Sequence, residues 1–358
     1  MTSRQLLPKA ALLFALTALL RLGLLLAMNP QHAVDYLGKW DGEQYSEIAR
    51  FGYFSPDGVR PADPDTYAQR LAFFPGFPAL IRCCYWLLHW IPSVTYVGVG
   101  VGIACVAGIL ATWGFMRLAL PARPSASALL LLGAPMAITM QMAYTESLFM
   151  ACAFWALVFM RGRRLLPAAI LVAASGFLRL TAVDLWLVFA ALILVYQRKT
   201  FRNWLLLIAS ALPFVAYILW ASAHSRDLGG YFGLQKRGWN SGVDFGKATV
   251  EWIFTWHSNF GYIISSVVMV GAAVAVVLGA WWVYRGHLEW FVWFFGAAIT
   301  ANVLLSDGIM HSRPRLLLPA IVLLIPLARR IPTWGMLAWT LAGVLVSAYM
   351  VGIFTWAI

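Results

Sequence analysis

Hydrophobic residues form long runs along the whole chain, separated by short polar loops that carry most of the basic residues. Many runs approach the roughly 20 apolar residues that an α-helix needs to cross a bilayer. The first run, 6–28, contains Arg21 and lacks a small-residue cleavage site, which predicts a retained span and not a cleaved signal peptide. We predict further spans at 94–119, 125–142, 146–161, 165–180, 183–197, 203–222, 259–284, 288–306, 314–328 and 333–357.

These spans predict an all-α polytopic membrane protein, a single transmembrane domain over residues 1–358 with about 10–12 transmembrane helices. Composition agrees, because 62% of the residues are hydrophobic and only 11% are charged, against about 25% charged residues in soluble domains. The net charge of +12 does not indicate a nucleic-acid partner, since the basic residues are scattered over short loops.

The segment 73–91 is apolar but contains Pro75, Pro78 and Arg82, so we predict a re-entrant or interfacial helix and leave open whether it crosses the bilayer. If it does not cross and the N-terminus is cytoplasmic, nearly all short basic loops fall on the cytoplasmic side, as the positive-inside rule requires. The extracytoplasmic face then gathers the loops 29–93, 223–258 and 306–313.

The first outer loop contains an amphipathic segment, Trp40 to Tyr53, with the sequence WDGEQYSEIARFGY. On a helical period, Asp41 shares a face with Tyr45 and Ile48. A carboxylate on an apolar face is costly unless it is paired or has a chemical task. Asp41 is therefore a candidate general base for attack by a hydroxyl group; the alternative is a simple N-cap of the helix.

Two further ionisable residues, Glu146 and Arg179, lie at the ends of predicted spans, where charged groups are costly and are often functional. Glu146, in QMAYTESLF, could orient a substrate hydroxyl, or it could only complement the helix dipole. Arg179 could contact a ligand, or it could be neutralised by Asp184.

Arg313 and Arg315, with His311 and Ser312 beside them, begin the span that follows the last outer loop. Guanidinium groups bind phosphate through paired hydrogen bonds, so we predict a phosphate clamp; the alternative is contact with lipid headgroups. The sequence Asp63-Pro64-Asp65 matches an Asp-x-Asp metal motif, but its turn residues indicate a surface loop. We predict no metal ligands.

A set of motifs in fixed order carries a resemblance to a known family. The motifs are KWDGEQYSEIARFGY, FFPGFPALIR, APMAITMQMAYTESLF, FLRLTAV and HSRPRLLLPA, spread over about 36–320. They resemble the GPI mannosyltransferase II (PIG-V) family of the C-type (GT-C) glycosyltransferase superfamily. The resemblance implies a GT-C bundle with juxtamembrane helices in the first outer loop, and the short chain suggests a prokaryotic member in the plasma membrane.

The same resemblance implies an inverting mannosyltransferase that uses a polyprenyl-phosphate sugar donor at the extracytoplasmic face, with Asp41 as the base. The acceptor would be a lipid-linked glycan, a glycolipid or a protein, and no cofactor would be required; metal dependence stays open. The residues expected to bind the donor or substrate are Trp40, Tyr45, Tyr144, Glu146, Arg179, His311, Arg313 and Arg315.

Two other functions remain open from the sequence. A transporter or lipid scramblase would suit the intramembrane Arg179 and Asp184, although the two halves of the chain show no repeat of the kind that many transporters have. A non-catalytic assembly factor that retains the fold is the other alternative.

Overall fold

The structure is a computed structural model that describes residues 3–54, 69–121, 123–196, 198 and 200–354. Within these ranges the chain is helical and forms no strand; Val243 and Ser306 make an isolated antiparallel bridge. The prediction of an all-α fold is confirmed. The Asp63-Pro64-Asp65 motif lies outside the described residues.

The α-helices are labelled in chain order, and a few 3-10 turns and one π-helical turn connect or extend them. They are α1 (Ser3–Met28), α2 (Asp41–Phe51), α3 (Gly76–Leu88), α4 (Tyr96–Leu118), α5 (Pro124–Leu132), α6 (Glu146–Arg161), α7 (Leu165–Ser175), α8 (Ala182–Tyr196), α9 (Phe201–His224), α10 (Gly230–Trp239), α11 (Lys247–Phe254), α12 (Phe260–Tyr284), α13 (Trp290–Leu304), α14 (Arg313–Leu316), α15 (Leu327–Arg330) and α16 (Thr333–Tyr349).

Five helices in the described part of the chain are long and apolar enough to cross a membrane: α1, α4, α9, α12 and α16 with its π-helical extension. Helices α3, α7, α8 and α13 are apolar but shorter. Large apolar side chains cover the outside of the bundle; Leu219 on α9 is 64% exposed and Val277 on α12 is 70% exposed. Such a surface needs lipid around it, and the chain is an integral multi-pass membrane protein.

Two of the predicted spans are interrupted. Helix α5 ends at Leu132, and the chain continues through Pro135 into a 3-10 turn. The predicted span 314–328 consists of short helical pieces, α14, a 3-10 segment and α15. Pro319 and Pro326 explain the breaks, because proline lacks the amide N–H and clashes with the preceding turn of a helix. Both segments lie among the other helices, where irregular backbone is tolerated in a membrane protein.

Helix α3 covers the middle of the segment predicted to be re-entrant or interfacial. Its 13 residues give a length of about 20 Å, against a hydrocarbon thickness of about 30 Å. Phe77 and Ile81 are buried against the bundle, whereas Trp86 is 70% exposed. The short, one-sided helix agrees with the interfacial interpretation, since Trp is favoured where membrane meets water.

Candidate active site

A polar cavity of about 210 Å³ lies where the beginnings of α2 and α14 meet the 178–181 segment. It is smaller than the roughly 300–1,000 Å³ of pockets that hold drug-sized molecules, and its size suits a single small ring. Its polar lining comes from five parts of the chain: Asp41, Tyr45, Arg179, Thr181, Tyr231, Gln235, Trp239, Ser241, Asn302, Ser306, Asp307, Ser312, Arg313 and Arg315.

Asp41 is the first residue of α2, and its side chain does not cap the helix. The N-cap position belongs to Trp40, which makes no side-chain capping bond and adopts φ 55°, a value uncommon for residues other than glycine. The Asp41 carboxylate is directed instead at Arg315, with 2.7 Å between Oδ2 of Asp41 and Nη1 of Arg315. The structure therefore favours the interpretation in which Asp41 has a charged partner on the cavity wall.

Glu146 connects Arg315 to Arg179. It is the first residue of α6 and is only 2% exposed. Its Oε1 lies 3.2 Å from Nη1 of Arg179 and 3.7 Å from Nε of Arg315. Two carboxylates and two guanidinium groups thus balance each other. Asp184 has a different contact, because it accepts a hydrogen bond of 3.1 Å from the amide of Asn302.

Aromatic side chains hold this charged network in place. The guanidinium of Arg315 lies 5.1 Å from the ring centre of Tyr144, and the Tyr144 hydroxyl donates to the carbonyl of Lys39 at 3.1 Å. The Tyr45 hydroxyl is 3.4 Å from that of Thr145. Burial, and then the nearby Asp41 carboxylate, raise the pKa of Tyr45 and of Tyr144 above the ordinary value. Both phenols therefore stay protonated and neutral at physiological pH.

Close backbone contacts bring the start of α2 against the start of α6. The amide of Ala143 donates to the carbonyl of Leu37 at 2.8 Å. A Cβ added to Gly42 would lie 3.4 Å from Cβ of Ala143, so glycine leaves room for this approach. The two segments are far apart in sequence, yet they place Asp41 and Glu146 on the same Arg315.

Two guanidinium N–H groups in the network are buried without an aligned hydrogen-bond acceptor among the described residues. They are Nε of Arg315, whose nearest carboxylate oxygen on Glu146 is 3.7 Å away, and Nη1 of Arg179, which lies 3.2 Å from the same oxygen. Nη1 of Arg315 is paired with Asp41 at 2.7 Å. Buried donors are seldom left unsatisfied in proteins. Arg179 and Arg315 both line the cavity, and an anion with several oxygens would complete their hydrogen bonding.

Arg313 also lines the cavity, but its guanidinium is bound to protein. It is 2% exposed and donates to the hydroxyl of Thr249 and to the carbonyl of Ser306. The expected phosphate clamp of two equivalent arginines is therefore divided: Arg315 has unsatisfied donors, whereas Arg313 connects α11 to the 306–309 segment. The spacing of the two arginines in sequence did not distinguish these roles.

Four of the expected substrate contacts do not line the cavity: Trp40, Tyr144, Glu146 and His311. Tyr144 and Glu146 lie behind its wall, where both contact Arg315. The ring of His311 lies 6.1 Å from that of Tyr262 and 6.4 Å from that of Phe354. The ring of Trp40 has the ammonium of Lys39 at 5.2 Å. Placing His311 and Trp40 with the donor-binding residues is thus not supported by the geometry, because adjacency in sequence did not bring their side chains to the cavity.

The structure adds polar residues that sequence reasoning missed, chiefly Gln235, Trp239, Asn302 and Asp307. Asp307 accepts a hydrogen bond from the amide of Gly242, which joins the loops 223–258 and 306–313. Asn302 had a usable signal, since a polar amide inside an apolar run is a functional candidate by default. Gln235 and Trp239 are one helical turn apart on α10 and had no signal of that kind.

An apolar groove of about 1,180 Å³ runs beside the cavity. Helices α3, α4, α6 and α7 form its walls, and Leu178 lines both the groove and the cavity. A molecule with a polar head in the cavity would have an apolar surface for its tail immediately next to it.

Comparison with known proteins identifies the class of fold. No family model matches the chain, and no curated protein matches it. The crystal structure of ArnT from Cupriavidus metallidurans bound to undecaprenyl phosphate is similar, with a TM-score of 0.55 and 15% sequence identity over 92% of this chain. The chain spans 61% of the ArnT chain. The helical fold is similar to that of ArnT, in agreement with the predicted all-α membrane bundle; the resemblance to the PIG-V family stays a prediction.

Proposed function

We propose that the protein is an inverting glycosyltransferase that moves a sugar, most simply mannose, from a polyprenyl-phosphate carrier to a hydroxyl acceptor. The observation that carries the proposal is the pairing of a carboxylate, Asp41, with buried guanidinium donors that lack acceptors, on Arg179 and Arg315, in one cavity. The bound undecaprenyl phosphate in the similar ArnT structure supports this choice of carrier.

The donor would be held by both of its ends. Its phosphate oxygens accept hydrogen bonds from Arg315 and Arg179, which have donors to spare. Its prenyl tail lies in the apolar groove that meets the cavity at Leu178. As the bond between the anomeric carbon and the phosphate oxygen breaks, the guanidinium groups stabilise the growing negative charge of the leaving phosphate.

Asp41 would accept the proton of the attacking hydroxyl. In an inverting displacement the base and the leaving group lie on opposite faces of the sugar ring. The sugar therefore enters between Asp41 and the phosphate-binding guanidiniums, and the 2.7 Å contact of Asp41 with Arg315 belongs to the free enzyme. The acceptor oxygen bonds to the anomeric carbon, its proton moves to Asp41, and the polyprenyl phosphate departs.

The sugar and the acceptor are proposed from the sequence motifs. Mannose follows from the resemblance of the sequence motifs, and the acceptor is a glycan, a glycolipid or a protein at the extracytoplasmic face of the membrane. Gln235 and Trp239 add an uncharged, partly aromatic wall that suits a carbohydrate. We propose that no cofactor or metal is needed, because the arginines supply the positive charge; transfer in the presence of EDTA tests this.

Purified protein in lipid nanodiscs with polyprenyl-phosphate-mannose, other polyprenyl-phosphate sugars and a panel of hydroxyl acceptors tests the proposal. Wild-type protein should form a glycosylated product and release polyprenyl phosphate. Asp41→Asn should reduce transfer by about 10²–10⁴-fold, the usual contribution of a general base, with donor binding retained. The matched control is Glu43→Gln, a carboxylate on the exposed side of the same helix, which should transfer at the wild-type rate.

Equal transfer by wild type and Asp41→Asn would remove Asp41 from the chemistry. Absence of transfer with every donor, together with sugar-independent lipid or solute flux, would favour the transporter alternative. A transferred sugar other than mannose would correct the donor and leave the mechanism in place.

A further inference from the structure

A second cavity, of about 680 Å³, lies at the opposite end of the helix bundle. Helix α6 runs from Glu146, which lies behind the wall of the first cavity, to Arg161, which lines the second; its 16 residues span about 24 Å. Helices α8 and α13 connect the same two ends. The mechanism above uses none of the residues of this second cavity.

Its mouth is basic. Arg161 is occupied, because its Nε lies 2.7 Å from Oε2 of Glu289 and its Nη1 donates to the carbonyl of Arg117. Arg163 and Arg329 also line the cavity, are exposed, and form no ion pair among the described residues. With Arg161 and Glu289 neutralising each other, the cavity keeps two uncompensated positive charges.

Arg163 is held over the cavity by an unusual local structure. It adopts φ 53°, in the left-handed region that residues other than glycine rarely adopt. Its guanidinium lies 4.5 Å from the ring centre of Tyr196, and the Tyr196 hydroxyl accepts a hydrogen bond of 3.0 Å from the indole of Trp290. Stacking leaves the edge of a guanidinium open, and that edge is the part that binds oxygen anions.

The interior of the cavity is apolar. Leu118, Leu192, Phe291 and Ile325 line it and come from four different parts of the chain. An apolar interior with a cationic mouth matches a molecule that has a phosphate group and an acyl chain. The positive-inside rule accounts for basic residues in these loops; it does not account for a stacked arginine in a strained conformation over a cavity.

We propose that this second cavity binds an anionic phospholipid, with its headgroup phosphate on Arg163 and Arg329 and part of an acyl chain among the apolar residues. Basic pockets between transmembrane helices are known to bind anionic lipid headgroups. The site is separate from the proposed glycosyl-transfer site and does not depend on that function.

The test is native mass spectrometry and lipid exchange of the full chain in nanodiscs that contain phosphatidylglycerol or only phosphatidylcholine. Wild type should retain phosphatidylglycerol and not phosphatidylcholine. Arg163→Gln combined with Arg329→Gln should reduce retention about tenfold or more, since each cation near a bilayer contributes measurably to anionic lipid affinity. Arg163→Lys should lose part of it, because lysine keeps the charge without the planar fork.

The matched control is Arg285→Gln with Arg330→Gln, two exposed arginines near the same end of the bundle that do not line the cavity. Retention should stay within about twofold of wild type in this variant, with the same loss of charge. An equal fall in both double variants, or no retained lipid in wild type, would overturn the proposal. Displacement of the lipid by inorganic phosphate at equal concentration would also overturn it, because the ligand would then be a free phosphate.

Discussion

The two sides of the candidate active site use charge in opposite ways. We call Asp41, Glu146, Arg179 and Arg315 the floor, and α10, α11, the 306–309 segment and Arg313 the cover. In the floor, buried guanidinium donors lack acceptors although carboxylates are near. In the cover, the Arg313 guanidinium is bound by the Thr249 hydroxyl and the Ser306 carbonyl.

The difference distinguishes an arginine that can bind a ligand from an arginine that stabilises the protein. A buried cation whose N–H groups are satisfied by backbone and hydroxyl oxygens has little left to offer a ligand. A buried cation with unsatisfied donors on a cavity wall has a reason to bind one. Two arginines of one short motif, two residues apart, therefore fall into different classes, and variants of each should fail in different ways.

The largest effect is expected for Arg315→Gln. Loss of this cation removes the main stabilisation of the leaving phosphate and leaves Asp41 without its ion-pair partner, so transfer should fall by about 10³-fold or more. The measurement is single-turnover transfer in nanodiscs. Arg82→Gln, an exposed arginine on α3, is the control and should match wild type. Arg315→Lys with full activity would contradict the role of the planar guanidinium.

Glu146→Gln should have the next largest effect. Glutamine keeps the shape but removes the charge that Arg179 and Arg315 share, so Asp41 alone is left to balance the two guanidinium groups. Turnover should fall about 10–100-fold and the melting temperature should drop, because breaking a buried charge network is costly. Glu47→Gln is the control; its partner Arg70 is 3.4 Å away and Glu47 itself is partly exposed. Unchanged turnover in Glu146→Gln would limit Glu146 to helix-dipole stabilisation.

Most of the floor could be predicted from sequence, and most of the cover could not. Asp41, Glu146 and Arg315 could be identified from sequence, because ionisable residues beside apolar runs cost free energy and are therefore functional candidates. Which arginine of the pair is bound by neutral oxygens depends on Thr249, distant in the chain, and on the fold of the loop that contains Ser306. That information exists only in tertiary contacts.

The fold shows the same division. Long apolar runs predicted the spans of α4, α9 and α12 closely. The breaks at Pro135, Pro319 and Pro326 had a local signal in proline, which hydropathy over a long window does not register. Helices α10 and α11 lie in a polar loop, where no apolar run marks them, and they carry cavity residues such as Gln235 and Trp239.

Arg313→Gln should destabilise the cover and affect transfer only indirectly. It removes the hydrogen bonds to Thr249 and Ser306, so the melting temperature should fall by several degrees, as expected when a buried charged donor is lost. Turnover should fall only about tenfold, less than for Arg315→Gln. Thermal melts and transfer assays at low temperature check this. The control is Lys236→Gln, at an exposed cation on α10, which should change neither the melting temperature nor the turnover. If Arg313→Gln loses as much turnover as Arg315→Gln without a change in melting temperature, Arg313 belongs among the phosphate ligands.

The smallest effect is expected for Asp244→Asn, at the entrance of α11. Asp244 accepts hydrogen bonds from the amides of Gly246 at 2.9 Å and Ala248 at 2.6 Å. The bond from Ala248 is the main cause that lowers the pKa of Asp244 below its usual value. The folded state thus favours the carboxylate: its stabilisation is present above the unfolded pKa of about 3.9 and is lost as pH falls through the lower folded value.

Wild type should melt at a slightly higher temperature than Asp244→Asn at pH 7, and the difference in melting temperature should close in acid. Asp227→Asn, an exposed aspartate in the same loop, is the control; a gap that widens in acid would contradict this account, because protonation must weaken the cap.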